Sequence, residues 1–367
     1  MAGELYLGLI SGTSMDGIDA ALVDFKGDRP VLMQGGSFPY DDDLRAALGR
    51  LSRGEALAPA ALSQVDVAVG QSFAGAVQAV LQAAAVAPQE VIALGSHGQN
   101  VYHGPDDSPA STWQLGNPHV IATCTGIATV ADFRRRDVAL GGQGAPLAPA
   151  LHGALLRSTE ESRAVLNLGG IGNLTLLPAD LAASIAGFDT GPGNCLLDDW
   201  IAAHRSEPLD KNGEWAASGR VLQPLLDRML TDPYFDRLPP KSTGREHFHL
   251  RWIESFAGSD DRPEDVQATL AALTAESVAR ALRQQQPDCR RVLVCGGGAH
   301  NPHLMARLEF VLQPIPVAPT SRFGVHGDWM EAMLFAHLAR FAVQGRKSDL
   351  ESVTGAAPHV YGVVYPA

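Results

Sequence analysis

The stretch that first suggests chemistry is SGTSMDG, residues 11–17, which separates two apolar segments near the start of the chain. Its glycines and hydroxyl residues can direct backbone N–H groups toward one point, and such a nest suits phosphate oxygens. Asp16 and Asp19 would repel a phosphate, so they fit this interpretation only with a hydrated divalent cation between the charges. An ordinary β-turn has the same composition, and the hairpin taken alone favours that alternative.

A second candidate is FDTGPGNC, residues 188–195, in which Asp189 stands at the end of a predicted strand. Asn194 is positioned to cap the following helix, and free amides at a helix N-terminus favour an anion. A carboxylate beside them can act as a general base or bind a metal. The alternative is that Asp189 only stabilises the turn, but the rigid Pro192 between two glycines favours a functional corner.

Three consecutive glycines, Gly296, Gly297 and Gly298, follow another predicted strand and precede a helix that Asn301 is positioned to cap. Glycine lets another group approach the backbone closely, and a flat nucleoside is the group expected there. Tight packing of the strand against the helix explains the run about equally well.

Two further polar stretches suit substrate recognition. The first, SHGQN, contains His97, Gln99 and Asn100, whose side chains can hydrogen-bond a sugar; the second, DFRRRD, covers residues 132–137. Guanidinium groups form bidentate hydrogen bonds with carboxylates and phosphates. The commoner alternative for such an arginine run is a solvated surface with local salt bridges.

These stretches need elements to bring them together, and strand-length apolar segments alternate with helical patterns, which predicts an α/β fold. Ligands gather at the carboxyl ends of strands in open α/β sheets, and several of these strands run into glycine. The last helix is predicted to start at Asp328, where Glu331 would complete a capping box. The predicted strands are LYLGLI, IDAALVDF, EVIALGS, AVLNLGG, LTLLP, SIAGFDTG and RVLVCGGG.

A weak internal repeat relates LGLISGTSMDGIDAALV to LNLGGIGNLTLL, because both read as strand, small-residue turn and strand. The length of 367 residues predicts about two domains. A duplicated β-domain would place one glycine hairpin in each of them.

Composition narrows the function further. A net charge of −12 argues against nucleic-acid binding, which requires a cationic surface. The four cysteines form no CxxC pair, which favours a reduced, cytoplasmic protein. No apolar run reaches the roughly 18 residues that span a bilayer, so no membrane association is expected. Neither a complete P-loop nor a GxGxxG fingerprint occurs.

Seven motifs occur in one order along the chain: GLISGTSMDGIDA, SHGQN, ADFRRRDVALGGQGAPLAP, NLGGIGN, FDTGPGN, PPKSTGRE and CGGGAHN. Together they resemble the anhydro-N-acetylmuramic acid kinase family, from about Gly8 to about Glu331. Each motif alone is weak, whereas seven in order are specific.

The resemblance implies a two-domain α/β fold of the sugar kinase, hexokinase, actin and Hsp70-like ATPase kind, with the active site in the interdomain cleft. On this basis we expect the N-terminal domain at residues 1–133 and 325–367. The second domain is expected at residues 134–324. The family also implies a homodimer.

The resemblance further implies that ATP, water and 1,6-anhydro-N-acetylmuramic acid give ADP and N-acetylmuramic acid 6-phosphate, in recycling of cell-wall sugars. Mg²⁺ would be held mainly through phosphates and water, with no dedicated set of protein ligands. The alternatives are a kinase of the same fold acting on another small sugar, and a non-catalytic sugar or nucleotide sensor.

By this resemblance Asp189 is the catalytic base. ATP binding is assigned to Gly12, Thr13, Ser14, Met15, Asp16, Gly17, Ile18, Asp19, Gly170, Gly172, Gly296, Gly297 and Gly298. Sugar binding is assigned to His97, Gln99, Asn100, Asp132, Arg134, Arg136 and Glu331.

Overall fold

The computed structural model describes residues 3–12, 15, 17–27, 29–245 and 247–367. Of the predicted phosphate hairpin, Thr13, Ser14 and Asp16 lie outside the described residues. The chain forms two compact units, Met1–Leu155 with Trp329–Ala367, and Leu156–Asp328. Each unit combines one β-sheet with helices, so the predicted α/β class is confirmed.

The first unit contains a mixed sheet of seven described strands in the order β12-β6-β4-β1-β2-β3, with β5 paired to β4. Strand β1 runs parallel to β4 and antiparallel to β2, and β4 runs parallel to β6. The strands are β1 Leu5–Ser11, β2 Ile18–Asp24, β3 Val31–Phe38, β4 Val91–Gly104, β5 Ser111–Leu115, β6 Thr129–Ala131 and β12 Val363–Tyr365.

Helices cover both faces of this sheet. Helix α13 crosses β1 and β4 so closely that a side chain at Gly8 or Gly95 would collide with its backbone. Helix α2 packs on the other side, with Phe73 and Val77 fully buried. The helices of this unit are α1 Asp42–Ser52, α2 Pro59–Ala84, α3 Pro118–Thr125, α4 Arg135–Ala139, α5 Pro149–Leu156 (which ends one residue into the second unit), α13 Met330–Val343 and α14 Glu351–Thr354.

Helix α2 is long and apolar enough to cross a membrane by length and composition, although no uninterrupted apolar run of that length occurs. Its most apolar 18-residue window is 44% buried inside the protein. Val69, Phe73, Val77 and Val80 form its core-facing stripe. That pattern is typical of a helix that packs on a sheet.

The second unit contains a sheet of five described strands in the order β11-β10-β7-β8-β9. Strand β7 runs antiparallel to β8 and parallel to β10. The strands are β7 Arg163–Leu168, β8 Ile171–Leu177, β9 Ala186–Pro192, β10 Arg291–Cys295 and β11 Val317–Pro319. The helices are α6 Cys195–Arg205, α7 Glu214–Ser218, α8 Gln223–Met229, α9 Pro233–Asp236, α10 Leu250–Glu254, α11 Pro263–Gln285 and α12 Pro302–Val311.

The internal repeat has a structural counterpart. In the first unit β1 and β2 form an antiparallel hairpin, with β4 parallel to β1 on its other side. In the second unit β7 and β8 form the hairpin, with β10 parallel to β7. Each unit therefore carries one glycine-containing hairpin in an equivalent place in its sheet.

The boundary between the units differs from the predicted one, because residues 134–155 belong to the first unit. Hydrogen bonds explain this assignment. The Asp137 carboxylate accepts from Thr354 Oγ1 at 2.9 Å and from Tyr361 Oη at 2.7 Å, and the Gln143 N–H donates to the Thr354 carbonyl at 2.7 Å. These bonds attach the segment after Arg134 to the C-terminal part of the chain.

Two predicted helix caps are wrong. Helix α13 begins at Met330 without a side-chain cap, and Asp328 instead lies 2.7 Å from the His300 ring nitrogen. Asn194 does not cap α6, because its Nδ2 donates to the Leu168 carbonyl. The Asn301 cap of α12 is confirmed, since its Oδ1 accepts from the Leu304 amide.

Candidate active site

The first glycine hairpin forms hydrogen bonds with the side chains of Ser11 and Gln99. Ser11 Oγ lies 2.6 Å from Gln99 Oε1 and 2.8 Å from the Gly17 carbonyl oxygen. Gln99 Nε2 donates to the Gly12 carbonyl at 3.1 Å, and Gln99 itself is fully buried. The structure therefore places Gln99 as a brace of the hairpin and not, as predicted, at a surface that a sugar reaches.

The described residues of the hairpin itself divide into packing and surface positions. Ile18 is 1% exposed and lies in the core, so only its backbone is available to a ligand. Gly17 cannot accept a side chain, because a Cβ would lie 2.7 Å from the Phe38 carbonyl oxygen. Met15 has a positive φ of 56°, and its amide donates to the Gly12 carbonyl in a tight turn. Asp19 is half-buried and accepts from Ser37 Oγ.

Arg134 is fixed by two hydrogen bonds. Its Nε donates to His97 Nε2 at 2.7 Å, and its Nη1 donates to the Gly144 carbonyl at 2.6 Å. His97 Nδ1 lies 3.0 Å from the Gly98 carbonyl, so the ring is neutral with its proton on Nδ1. Burial, reinforced by the Arg134 charge, holds the pKa of His97 well below its ordinary value.

Glu331, in the first turn of α13, belongs to the same group of charges. Its side chain is exposed, yet nearby protein raises its pKa by desolvation; the Arg134 guanidinium opposes that rise and Asp19 adds to it. Burial also lowers the pKa of Arg134 to about 10, with Glu331 opposing that shift. Since α13 has no side-chain cap, the alternative role of Glu331 in a capping box is removed.

The charged side chains of the DFRRRD stretch have different surroundings. Arg135 Nη1 pairs with Asp132 Oδ1 at 3.2 Å, and Tyr365 Oη donates to Asp132 Oδ2 at 2.9 Å. Arg136 is exposed on α4. Of the three arginines, Arg134 alone joins His97 and Glu331, so Arg134 is the candidate for anion recognition.

Asn100, the remaining predicted sugar ligand, is half-buried at the far end of the SHGQN stretch. Its Oδ1 accepts from Gln114 Nε2 at 2.7 Å.

Sequence reasoning missed Asp137, which supports Arg134 from behind. Asp137 is fully buried, and its Oδ2 accepts from the Gly144 amide at 2.7 Å. The carbonyl of that same glycine accepts from Arg134. Tyr361 Oη and Thr354 Oγ1 both donate to Asp137 Oδ1. The segment after Gly345, which carries no recognisable motif, therefore anchors the Arg134 loop.

In the second unit, Asp189 lies near the end of β9 and is held mainly by backbone atoms. Its N–H donates to the Lys241 carbonyl at 3.1 Å, and its Oδ2 accepts from the Thr243 N–H at 3.0 Å. Tyr234 Oη donates to the Asp189 carbonyl at 2.8 Å. This half-buried carboxylate is thus fixed in direction, as a positioned general base requires.

Lys241, Thr243 and Tyr234 were not among the predicted site residues. Lys241 Nζ lies 4.7 Å from the centre of the Tyr234 ring and donates to the Tyr234 carbonyl. Burial lowers the pKa of Lys241, and the nearby carboxylates of Asp236 and Asp189 oppose that shift. The available signal was the PPKSTGRE motif, which contains both Lys241 and Thr243.

The corner after Asp189 is bonded to the second hairpin. The amides of Gly193 and Cys195 donate to the Gly170 carbonyl, and the Asn194 amide donates to the Gly169 carbonyl, at 2.9 to 3.0 Å. Of the amides at the start of α6, those of Asn194 and Cys195 are therefore already used within the chain.

The two glycines of the second hairpin have different surroundings. A Cβ on Gly172 would lie 2.9 Å from Thr190 Oγ1, so this residue is a packing glycine. Gly170 has more room, with the Arg245 guanidinium 3.8 Å from an added Cβ. Arg245 is a second candidate cation that sequence reasoning did not assign.

The three glycines after β10 have different surroundings. Gly296 has a φ of +80°, and a Cβ there would lie 2.3 Å from Asn167 Oδ1. Gly298 packs on Leu168 in the same way. A Cβ on Gly297 would have no described atom within 4 Å, so this residue borders open space. Close packing explains two positions, and the third leaves the backbone approachable by a ligand.

Comparison with known proteins gives one family. The sequence pattern of anhydro-N-acetylmuramic acid kinase matches residues 4–367. The anhydro-N-acetylmuramic acid kinase of Xanthomonas campestris pv. campestris (strain 8004) is 53% identical, over 99% of this chain and 97% of the relative. That of Coxiella burnetii (strain Dugway 5J108-111) is 47% identical, over 100% of this chain and 98% of the relative.

Solved structures also show similarity. A ROK family glucokinase from Streptomyces griseus in complex with glucose and AMPPNP has a TM-score of 0.41 and 13% identity, over 92% of this chain and 99% of that one. From the sequence comparisons, the chain belongs to the anhydro-N-acetylmuramic acid kinase family. The resemblance noted in the motifs is confirmed, and the chain is a kinase.

Proposed function

We propose that this kinase uses ATP and water to open the 1,6-anhydro bridge of 1,6-anhydro-N-acetylmuramic acid and to phosphorylate O6 of the same sugar. The products are N-acetylmuramic acid 6-phosphate and ADP. The observation that most supports this reaction is the Asp189 carboxylate, directed by the Thr243 amide in a chain of this family.

Asp189 is proposed as the general base. It takes a proton from a water molecule as the water oxygen attacks the anomeric carbon, and the bond from that carbon to the bridging oxygen breaks. The bridging oxygen remains on C6 and bonds to the γ-phosphorus of ATP, from which ADP departs. No second nucleophile is needed, because the departing bridge oxygen is itself the phosphoryl acceptor. Asp189 then releases its proton to solvent, so that atoms and charges balance over one turnover.

Phosphoryl transfer depends mostly on positioning and on charge stabilisation. The residues proposed to surround the phosphates are the hairpin of residues 12–19, Gly170 and Gly172, with Gly297 at the adenosine side. Asp19 fits a Mg²⁺ ion bound mainly through phosphates and water, because such sites use one or two carboxylates. When bound, the ion would neutralise the charge of the phosphates.

Arg134 is proposed to bind the lactyl carboxylate of the sugar. His97 occupies Nε of Arg134 and the Gly144 carbonyl occupies Nη1, so the guanidinium is fixed before the sugar arrives. A fixed guanidinium loses less conformational freedom on binding. Glu331, beside it, is proposed to hold a sugar hydroxyl. A carboxylate can accept a hydrogen bond from that hydroxyl.

The proposed setting is recycling of cell-wall sugars in the cytoplasm, by a homodimer. The chemistry suits that setting, because phosphorylation adds charge to a recovered sugar and ATP is available there. Another small sugar is the second candidate substrate. The position of Arg134 favours the anionic one.

A coupled assay for ADP release tests the proposed substrate against a panel of sugars. The panel contains 1,6-anhydro-N-acetylmuramic acid, its lactyl amide, 1,6-anhydro-N-acetylglucosamine, N-acetylmuramic acid and glucose. We expect turnover with the first compound and at least about tenfold lower kcat/KM with the uncharged lactyl amide, because a charge-assisted contact is lost. Equal rates with glucose would contradict the proposal.

A further inference from the structure

The first unit contains a cavity of about 560 Å³ that the proposed reaction does not use. Its lining residues come from α2, β4, β5, the loop before α3, the end of β6 and the C-terminal strand β12. Arg134, Glu331 and the described residues of the first hairpin are not part of its wall, but His97, which accepts a hydrogen bond from Arg134, is. The volume lies within the range usual for small-molecule sites.

Along β4 this cavity borders the Arg134 site, because His97 lines the cavity and also bonds to Arg134. The ring of His97 packs on Phe335 of α13, with the ring centres 4.7 Å apart. Neighbouring side chains of a strand point to opposite faces of the sheet. Ser96 therefore faces the side covered by α2, where it lines the cavity with Leu62 and Asp66.

Four aromatic rings line this cavity, those of His97, Trp113, His119 and Tyr365. Trp113 is 38% exposed, which is high for so large an apolar side chain. Tyr365 and His119 meet edge to face with their centres 5.0 Å apart. An exposed indole beside polar groups offers a flat platform for the apolar face of a ring.

Polar groups between the rings are held in place by the fold. Asp66 Oδ1 accepts from the Gly116 amide at 2.9 Å, and Asp132 is fixed by Arg135 and Tyr365. Ser96 is 1% exposed, and its Oγ has no hydrogen-bond partner in the described part of the chain. A buried hydroxyl in that state gains from a partner that a ligand would supply.

The charges select the kind of ligand. Asp66 and Asp132 carry two negative charges against the one positive charge of Arg135. A phosphate or a carboxylate would therefore be repelled, which separates this cavity from a site for ATP or for an anionic sugar. Carboxylates accept hydrogen bonds from hydroxyl groups. The combination of aromatic platform, carboxylates and amides fits a neutral pyranose.

We propose that this cavity, which we call the Trp113 cavity, is a second saccharide site for a neutral pyranose stacked on Trp113. The site shares His97 with the Arg134 site but does not depend on the proposed substrate. Stacking on the indole and hydrogen bonds to Asp66 provide the affinity, which for one small ring lies in the millimolar range.

Ligand-detected NMR titration of the full chain tests this proposal with three related sugars. N-acetylglucosamine is neutral, N-acetylmuramic acid is anionic and glucosamine is cationic. The titrations are run without ATP and with saturating 1,6-anhydro-N-acetylmuramic acid. We expect N-acetylglucosamine to bind at least about tenfold more tightly than N-acetylmuramic acid, and more tightly than glucosamine. The proposal is overturned if N-acetylmuramic acid or glucosamine binds more tightly than N-acetylglucosamine. It is also overturned if N-acetylglucosamine shows no saturable binding.

Variants then locate the binding. Trp113→Ala should weaken N-acetylglucosamine at least about tenfold, whereas Trp113→Phe keeps an aromatic platform and should stay within about threefold. Phe310→Ala, at an exposed aromatic residue of the second unit, is the control and should change nothing. ADP release is measured on the same preparations. Unchanged N-acetylglucosamine binding in folded Trp113→Ala overturns the proposed saccharide site. Absence of ADP release by the wild-type protein would count only against the proposed kinase reaction.

Discussion

Arg134 in the first unit and Asp189 in the second are both charged groups held in one direction, but by different means. The Arg134 guanidinium is held by the His97 ring and by the Gly144 carbonyl, which depends in turn on the Asp137 side chain. The Asp189 carboxylate accepts from a backbone amide, and its own amide donates to a backbone carbonyl.

This difference predicts which substitutions should disturb the charged group of each unit. Backbone hydrogen bonds survive most single substitutions, so the direction of Asp189 should resist changes in its neighbours. A series of hydrogen bonds between side chains is broken when any one of its members is replaced. The orientation of Arg134 should therefore be sensitive to substitution of residues that never touch a ligand. Buried networks of this kind lose more than one bond when one partner is removed.

The largest effect is expected from Asp189→Asn, which keeps the shape and removes the base. General-base catalysis contributes about 10² to 10⁴ in rate, so kcat should fall by that factor, with little change in ATP affinity. Steady-state kinetics and calorimetry on one preparation measure both quantities. Asp260→Asn, an exposed carboxylate of the same unit, is the control. Retention of more than about a tenth of kcat would make Asp189 a structural residue.

The next effect is expected from Arg134→Ala. Hydrogen bonds to charged groups contribute about 1.5 to 3 kcal/mol, so the sugar KM should rise by about 10- to 100-fold while the KM for ATP stays within about twofold. Arg136→Ala removes a neighbouring guanidinium that is exposed, and its sugar KM should be unchanged. Equal effects of the two variants would show that net charge, and not the fixed guanidinium, attracts the sugar.

A smaller effect sharpens the comparison at a distance. Tyr361→Phe removes one donor to Asp137 and should raise the sugar KM by about three- to tenfold, since the Gly144 loop loses part of its anchor. Tyr234→Phe removes the side-chain donor to Asp189 but leaves both backbone bonds, so kcat should fall less than about fivefold. If the fold-change in kcat of Tyr234→Phe exceeds the fold-change in sugar KM of Tyr361→Phe, the contrast between the units is contradicted.

The smallest effect is a pH dependence of stability that differs between the units. Burial lowers the pKa of His152 and of His337, both in the first unit, to about 4, and lowers that of His97 as well. In the unfolded chain these rings bind protons near pH 6.5. Between pH 6.5 and 4 the unfolded state therefore binds more protons, and stability falls as pH falls, by at most about 1.4 kcal/mol per pH unit for each ring.

Carboxyl groups with a raised pKa act in the opposite direction. Burial raises the pKa of Asp198 in the second unit to about 6, so the folded state keeps a proton that the unfolded carboxyl has lost, and stability there rises as pH falls toward 4. Burial also lowers the pKa of His103 in the first unit to about 4 and that of His303 in the second unit, so more histidines act in the first unit. Hydrogen exchange at pH 6.5 and 4.5, corrected for intrinsic rates, should show selective loss of protection in the first unit. Equal loss in both units would contradict this.

Much of the fold could be predicted from the sequence, because strands and helices leave local patterns in it. Seven strands were predicted from local pattern alone, and all seven are confirmed, as β1, β2, β4, β7, β8, β9 and β10. Family membership, too, could be recognised from seven motifs in order. The cap at Asp328 failed because a distant partner, His300, holds that side chain instead.

The residues that sequence reasoning missed share one property. Asp137, Tyr361 and Tyr234 act through partners far away in the chain, such as Thr354 for Asp137 and Asp189 for Tyr234. A local pattern cannot report such contacts. The bonds of Gln99 to Ser11 and Gly12 could not be predicted for the same reason, because they depend on the pairing of β1 with β4.

The central claim, that hydrolysis of the anhydro bridge is coupled to phosphoryl transfer, is tested most directly by turnover in ¹⁸O-labelled water. The product is reduced at once to stop exchange at the anomeric carbon and is then fragmented by mass spectrometry. The account predicts one ¹⁸O atom at C1, an unlabelled phosphate and phosphorylation at O6. Label in the phosphate, or a phosphorylated product that keeps its anhydro bridge, would contradict it.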